Sequence, residues 1–156
     1  MLTVLRKTVN DSDIYVVISE DPKTKKHFLF LEWDDVFSEK LEKETVRTMV
    51  ALNMQGILIR TPRGFHFIAS NIKTTLKGMV AVQKLFVADP VWILHNKKRE
   101  FATLRVSIKY KDEKHLEVVQ YPLTDEKLKQ EYEAIIKKYF YKGDPYMIHS
   151  DSNNGF

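Results

Sequence analysis

Seven residues, His27-Phe28-Leu29-Phe30-Leu31-Glu32-Trp33, form an almost unbroken apolar run that stops abruptly in acid at Asp34 and Asp35. The run is too short for a typical helix and has the length of a strand. A strand apolar on both of its alternating faces must be covered on both sides, which suits a central strand of a sheet. The turn-forming stretch Asp21-Pro22-Lys23-Thr24-Lys25-Lys26 leads into it. Any fold of this chain must therefore build layers around one strand whose exit is negatively charged.

The neighbouring segments supply those layers. Thr3–Thr8 and Ile14–Ser19 alternate like two strands joined at Asn10-Asp11-Ser12. After the acidic exit, Ser38 is an N-cap for a helix carrying Leu41, Thr45, Met49 and Leu52, with Gly56 as its C′ glycine. GILIR and FHFIAS flank Thr61-Pro62-Arg63-Gly64, a hairpin with its turn residues in place. Thr74 or Thr75 opens a second helix with Leu76, Met79, Val80, Gln83 and Phe86 on one face. Asp89 caps a short helix over Pro90–His95, with Pro90 at its first position. Strands Ala102–Lys109 and His115–Tyr121 follow, then a helix capped by Thr124 with the stripe Leu128, Tyr132, Ile135, Ile136 and Tyr139, ended by Gly143-Asp144-Pro145. Helices interleaved with hairpins point to an α+β fold, a mixed or antiparallel sheet with packed helices, rather than a doubly wound parallel sheet.

Composition narrows the function classes. The 156 residues contain no Cys, so disulfide frameworks, thiolate metal sites and Cys nucleophiles are excluded. A 44% hydrophobic content excludes a disordered chain. No apolar run approaches a membrane span, and MLTVLRKTVND lacks a signal-peptide core. The expectation is one cytoplasmic domain over residues 1–148, without a membrane partner, followed by the polar tail 149–156. The net charge of +4 permits nucleic-acid binding without requiring it.

Four groups of residues carry chemical potential, and each has a plain structural reading beside it. Glu32 and Asp34, two apart, leave one face of a strand and offer hard oxygen ligands to a divalent cation; Asp34-Asp35 also serves simply to end the strand ahead of a helix. Arg60-Thr61-Pro62-Arg63-Gly64-Phe65-His66 surrounds a glycine turn with phosphate-binding donors, His66 facing away from Phe65 and Phe67; it also reads as a basic surface hairpin. Asp89 is a helix cap on its own. Arg105, Ser107 and Lys109 alternate onto one strand face, a pattern foreign to a core and suited to phosphate, with Lys111 and Lys97-Lys98-Arg99 extending the basic area or forming solvated charge.

The order of these features resembles the archaeo-eukaryotic primase superfamily, which includes small primase subunits and the primase-polymerases of plasmids and viruses. The residues concerned are FLEWDD (Phe30–Asp35), TPRGFHF (Thr61–Phe67), FVADP (Phe86–Pro90) and TLRVSIKYK (Thr103–Lys111), within about Lys26 to Lys111. The resemblance implies an RRM-like core and two divalent ions, Mg or Mn, held by Glu32, Asp34 and Asp89. Glu32 stands where the family usually has Asp, which leaves Asp34-Asp35 as the alternative acidic pair. His66 would meet the phosphates of the incoming nucleotide, beside Arg63, while Arg105, Ser107 and Lys109 would hold the nucleotide. The partners implied are nucleoside triphosphates, a DNA or RNA template, and a helicase or large primase subunit.

Two functions follow: a metal-dependent nucleotidyltransferase in replication, priming or repair, or a nucleic-acid-binding module that keeps the fold without catalysis. A two-histidine replication initiator needs a His-hydrophobe-His pair, and His66 has no such partner in sequence.

Overall fold

The computed structural model describes residues 2–34, 39–111, 113 and 116–145. Ser38, Asp35, His115 and the tail 149–156 lie outside them. Among the described residues the fold is α+β, with two antiparallel sheets and four α-helices. None of the described helices is long and apolar enough to cross a membrane.

The first sheet starts with the N-terminal hairpin, β1 (Thr3–Val9) and β2 (Ser12–Ile18). Val9 pairs with Ser12, so the loop is only Asn10-Asp11, and both residues take positive φ. That is the mirror-image turn whose twist matches paired strands, and Asn and Asp tolerate it. A three-residue strand, β6 (Thr103–Arg105), pairs with the other edge of β2.

The apolar run forms β3 (His27–Trp33). It joins β5 (Phe65–Thr74), then β4 (Gly56–Arg60), then β7 (Glu117–Val119), in the order β3-β5-β4-β7. β3 is thus an edge strand by pairing, not the central strand its composition suggests, although six of its seven residues are buried. Its outer edge is covered by α2 (Leu76–Leu85) and the turn leading to α3 (Pro90–Arg99). Gln83 Nε2 donates to the Phe30 carbonyl at 3.0 Å, and the Asp89 N–H donates to the Glu32 carbonyl at 2.9 Å. Trp33 Nε1 donates to the Phe86 carbonyl. The backbone acceptors of the buried edge find partners outside the ladder, which burial demands.

Rungs of the second sheet alternate between its faces. Glu32, His66 and Ile59 form one rung; Trp33, Phe65 and Arg60 form the next. The Trp33 and Phe65 rings lie 4.6 Å apart on the second of these faces. Helix α1 (Glu39–Ala51) meets that face through Glu42. The Glu42 carboxylate accepts from Arg60 Nε at 3.0 Å and Nη2 at 2.9 Å, and from the Tyr121 hydroxyl. Burial works to raise the Glu42 pKa, but the Arg60 and Tyr121 hydrogen bonds and the Arg60 charge outweigh it and hold it low. Burial and the same carboxylate push Tyr121 up to about 12.

Several boundaries differ from the sequence reading. Asn53, not Gly56, closes α1: its φ is 56°, its N–H bonds the Val50 carbonyl, and Met54 N–H bonds Met49. This is a Schellman ending with Asn in the left-handed position. Gly56 instead opens β4, where a Cβ would stand 1.9 Å from the Ile68 carbonyl oxygen. Leu52 is exposed, because the buried face of α1 runs through Glu42, Thr45, Val46 and Met49. Thr75 caps α2, whose buried Met79, Val80 and Gln83 follow the expected stripe. Helix α3 continues past His95 to Arg99. Asp125, not Thr124, caps α4 (Glu126–Tyr139); Thr124 Oγ1 accepts instead from the Tyr121 N–H. The strand expected over His115–Tyr121 is the shorter β7.

One buried cluster joins the layers, with Val17 and Leu104 of the first sheet beside Leu31, Leu58 and Phe67 of the second. Each such side chain contributes roughly 1.5–3 kcal/mol. Ser19 ties the sheets together: its N–H and Oγ bond the Ala102 backbone, its carbonyl accepts from Phe28 N–H, and its hydroxyl meets His27 Nδ1 at 2.9 Å.

Candidate functional site

The acidic exit of β3 and the β4–β5 turn meet because Gly64 has no side chain. A Cβ there would lie 1.8 Å from the Trp33 carbonyl oxygen and 3.3 Å from Asp34 Cα. Only glycine lets the turn press against the strand end. The Gly64 N–H is not left for a ligand. It is instead spent inside the turn, donating to Thr61 Oγ1 at 2.9 Å, while Thr61 N–H donates back to the Gly64 carbonyl.

This close approach builds one wall of an open pocket of about 90 Å³. Glu32, Asp34, Thr61, Pro62, Arg63 and His66 line it from the second sheet. Arg105, Ser107, Lys109 and Tyr110 line it from the end of β6 and the segment after it. The expected strand over Ala102–Lys109 ends at Arg105, so Ser107 and Lys109 do not share a face by strand alternation. They reach the pocket because the chain leaves the ladder and folds across it. Val106 N–H still bonds the Tyr15 carbonyl, Ser107 Oγ accepts from Tyr15 N–H at 3.0 Å, and Ile108 N–H bonds the Phe140 carbonyl.

Arg105 holds that irregular segment in shape. Its guanidinium donates to the carbonyls of Ile108 at 2.6 Å, Ser107 at 3.3 Å and Asp144 at 3.4 Å. Arg63 Nη1 donates to the Tyr110 hydroxyl at 3.3 Å, and Lys109 Nζ lies 5.4 Å from the Tyr110 ring centre. Tyr110 is buried, so it fixes two cations of the pocket at once. The sequence reading passed over it, although it stands inside the same TLRVSIKYK stretch.

Glu32 and His66 are direct cross-strand partners, and their side chains meet at 3.4 Å between Oε2 and Nε2. His66 is almost fully buried, and its Nδ1 has no partner among the described residues. A buried ring nitrogen without a partner costs roughly 1–3 kcal/mol until a ligand or water meets it. As expected, His66 faces away from Phe65 and Phe67.

Asp89 is close to this site by backbone but not by side chain. Its N–H holds the Glu32 carbonyl, while its carboxylate accepts from Val91 N–H at 3.0 Å and caps α3. It does not line the pocket. The third carboxylate that does is Glu113, which sequence reasoning missed because no periodic pattern marks it. Among the described residues no three His, Asp or Glu side chains gather as a metal-holding group. Glu32 and Asp34 nevertheless give two hard oxygen donors in one recess, the number magnesium commonly takes from protein when substrate phosphates complete its shell. That donor set fits the implied cation at the Glu32–Asp34 end.

Lys97 and Lys98 end α3, and Arg99 beside them is half-buried, with Nη2 donating to Asn96 Oδ1. Burial lowers the Arg99 pKa, and the Glu32 carboxylate opposes that shift. This cation therefore feels the acidic end of β3 from the helix side.

The pocket thus gathers three carboxylates, the cations Arg63, Arg105 and Lys109, and the His66 imidazole. Such an arrangement can bind a polyanion through its cations and a cation through its acids. Comparisons with family models, with curated proteins and with solved structures each found no match.

Proposed function

We propose that this pocket takes the phosphate end of a nucleoside triphosphate, and that the protein is a metal-dependent nucleotidyltransferase of primase-polymerase type acting on DNA or RNA. One observation carries the reading. Glu32, Asp34, Arg63, His66, Arg105, Ser107 and Lys109, which the sequence patterns single out, line a single recess. Chance proximity is a poor account of seven residues drawn from three separate stretches of chain.

The size of the recess supports a phosphate rather than a whole ligand. Pockets that enclose drug-sized molecules measure roughly 300–1,000 Å³. A recess of about 90 Å³ holds phosphate oxygens and a cation, leaving sugar and base at its rim. The succession β3-α1-β4-β5-α2, with β5 between β3 and β4, supports an RRM-like reading of this part of the chain.

In nucleotidyl transfer a 3′-hydroxyl attacks the α-phosphate and pyrophosphate leaves. Arg63 and Lys109 would neutralise the triphosphate, and His66 would meet a phosphate oxygen. Arg105 would act mainly by holding the 105–109 segment in place. Glu32 and Asp34 would hold Mg or Mn, whose charge stabilises the attacking and leaving oxygens when bound.

A second reading keeps nucleic-acid binding without catalysis. It is favoured by the Asp89 carboxylate, which caps a helix where the family resemblance assigns it to the metal site. Labelled-nucleotide incorporation on primed and unprimed templates, with Mg or Mn, separates the two. Product that disappears in Asp34→Ala supports the transferase. Salt-sensitive DNA or RNA binding without any product supports the binding module. Neither binding nor product would end both.

A further inference from the structure

Helices α2 and α3 carry a feature that the nucleotide pocket does not use. Together with their linking turn they hold five basic side chains, Lys77, Lys84, Lys97, Lys98 and Arg99, against one acid, Asp89. That surplus equals the net charge of the whole chain, +4, so the remaining residues balance. The positive excess of this protein is local to one helix pair.

The same pair exposes four aliphatic residues. Leu85, Val87, Val91 and Leu94 are between 52% and 78% exposed. Val91, Leu94 and Lys97 recur every three residues along α3, and Lys77, Ala81 and Leu85 every four along α2, so each set shares one helix face. Between the helices runs a groove of about 530 Å³ lined by Leu76, Lys77, Val80, Ala81, Lys84 and Lys97. Its floor is aliphatic and its rim cationic.

Val87 adds a separate observation. It occupies the left-handed position that ends α2, with φ 55°; its N–H bonds the Lys84 carbonyl, and Ala88 N–H bonds Gln83. Glycine or asparagine fills this position comfortably, and a β-branched residue is a genuine outlier there. The strained valine projects into solvent, where it does nothing for the core.

We propose that the α2–α3 groove docks an acidic amphipathic helix of a partner protein. An aliphatic floor takes leucine-like anchors at i, i+3, i+4 and i+7, and the lysine rim selects glutamate or aspartate beside them. Single-stranded nucleic acid is disfavoured because its stacking platforms are exposed aromatic rings, and the exposed large side chains here are aliphatic. A flat bilayer does not enter the recess that holds Leu76, Val80 and Ala81, whereas a helix fills it and also meets the exposed Leu85, Val87, Val91 and Leu94 beside it.

The test uses the full chain and two designed helical peptides with the same leucine face, one flanked by glutamates and one by lysines. Binding is read by fluorescence anisotropy and by amide chemical shifts. The glutamate peptide should bind at least about tenfold more tightly than the lysine peptide, a gap of roughly 1.4 kcal/mol. Its shifts should fall within residues 76–99. Lys84→Glu with Lys97→Glu should reverse the preference, and Leu85→Ser with Leu94→Ser should weaken both peptides while leaving the thermal midpoint near that of wild type. Equal binding of the two peptides, shifts centred elsewhere, or no binding would overturn the proposal. So would tighter association of the same lysines with phosphatidylserine vesicles or with single-stranded DNA.

Discussion

Gly64→Ala tests the link between the fold and the pocket. The added Cβ would start 1.8 Å from the Trp33 carbonyl oxygen, and real Cβ atoms do not approach such a neighbour within 3.0 Å. The turn and the strand end must therefore part by at least about 1.2 Å, the difference between those distances. The obstacle is backbone, so no flexible side chain can swing away. Overpacking of this kind costs roughly 1–3 kcal/mol. For a chain of this size each kcal/mol lowers Tm by roughly 2–4 °C. The same displacement moves Arg63 and His66 relative to Glu32 and Asp34. A shift near 1 Å costs up to about 10²-fold where geometry governs reactivity. Gly56→Ala is the matched control, since its Cβ would meet the Ile68 carbonyl oxygen at 1.9 Å, at the opposite end of the same hairpin. Thermal melting and binding of a fluorescent nucleoside triphosphate with manganese would be measured side by side. Both variants should lose stability, and only Gly64→Ala should lose nucleotide affinity at a temperature where both are folded. Wild-type melting of Gly64→Ala would refute the steric argument, and equal loss of affinity in both variants would refute the positional one.

Other expectations follow from individual contacts. Glu42→Gln should destabilise by about 2–3 kcal/mol at neutral pH, because it leaves Arg60 and Tyr121 without their buried carboxylate; Arg60 can rehydrate, which keeps the loss below that of a fully buried pair. Since the folded Glu42 pKa is held low, wild-type stability from this group is present above its unfolded pKa, about 4.5, and fades as pH falls through the folded value. Urea titrations of the two proteins should therefore converge in acid, and a constant gap down to pH 3 would contradict the assignment. Burial lowers the His27 pKa, so stability should begin to fall below about pH 6.5 as the unfolded chain takes up that proton first; His27→Gln should flatten this slope. Val87→Gly should raise stability by about 0.5–1 kcal/mol, the left-handed strain relieved less the added entropy of an unfolded glycine. Lys109→Ala should weaken triphosphate binding about tenfold and make it less steep in salt, which a titration at several ionic strengths would show.

Much of the fold was legible where a local pattern had a local cause. The Asn10-Asp11 hairpin, the α2 stripe, the Asp89-Pro90 helix start and the α4 stripe all appear where the residues indicated. Errors arose where a distant partner overrode local preference. Gly56 reads as a helix end, but it is glycine because Ile68 lies across the hairpin. The 102–109 stretch alternates like a strand, yet Arg105 binds three carbonyls and bends the chain away after β6. Glu42 looks like one more exposed helix acid and is buried because Arg60 and Tyr121 come to it from other elements.

The candidate site divides along the same line. Sequence alone determined the residue types: hard acids at the end of an apolar strand, donors around a glycine turn, and a later basic stretch. It also determined that thiolate chemistry is absent. Only the tertiary structure decided which of these residues meet. It brought Glu32 against His66, added Tyr110 and Glu113, and committed Asp89 to a helix cap. It also placed the apolar run at an edge covered by a helix instead of at the centre of a sheet. The physical reason is range. Turn, cap and strand preferences act over a few residues, whereas pairing order and pocket assembly depend on which distant backbone groups and buried charges find partners when the layers close.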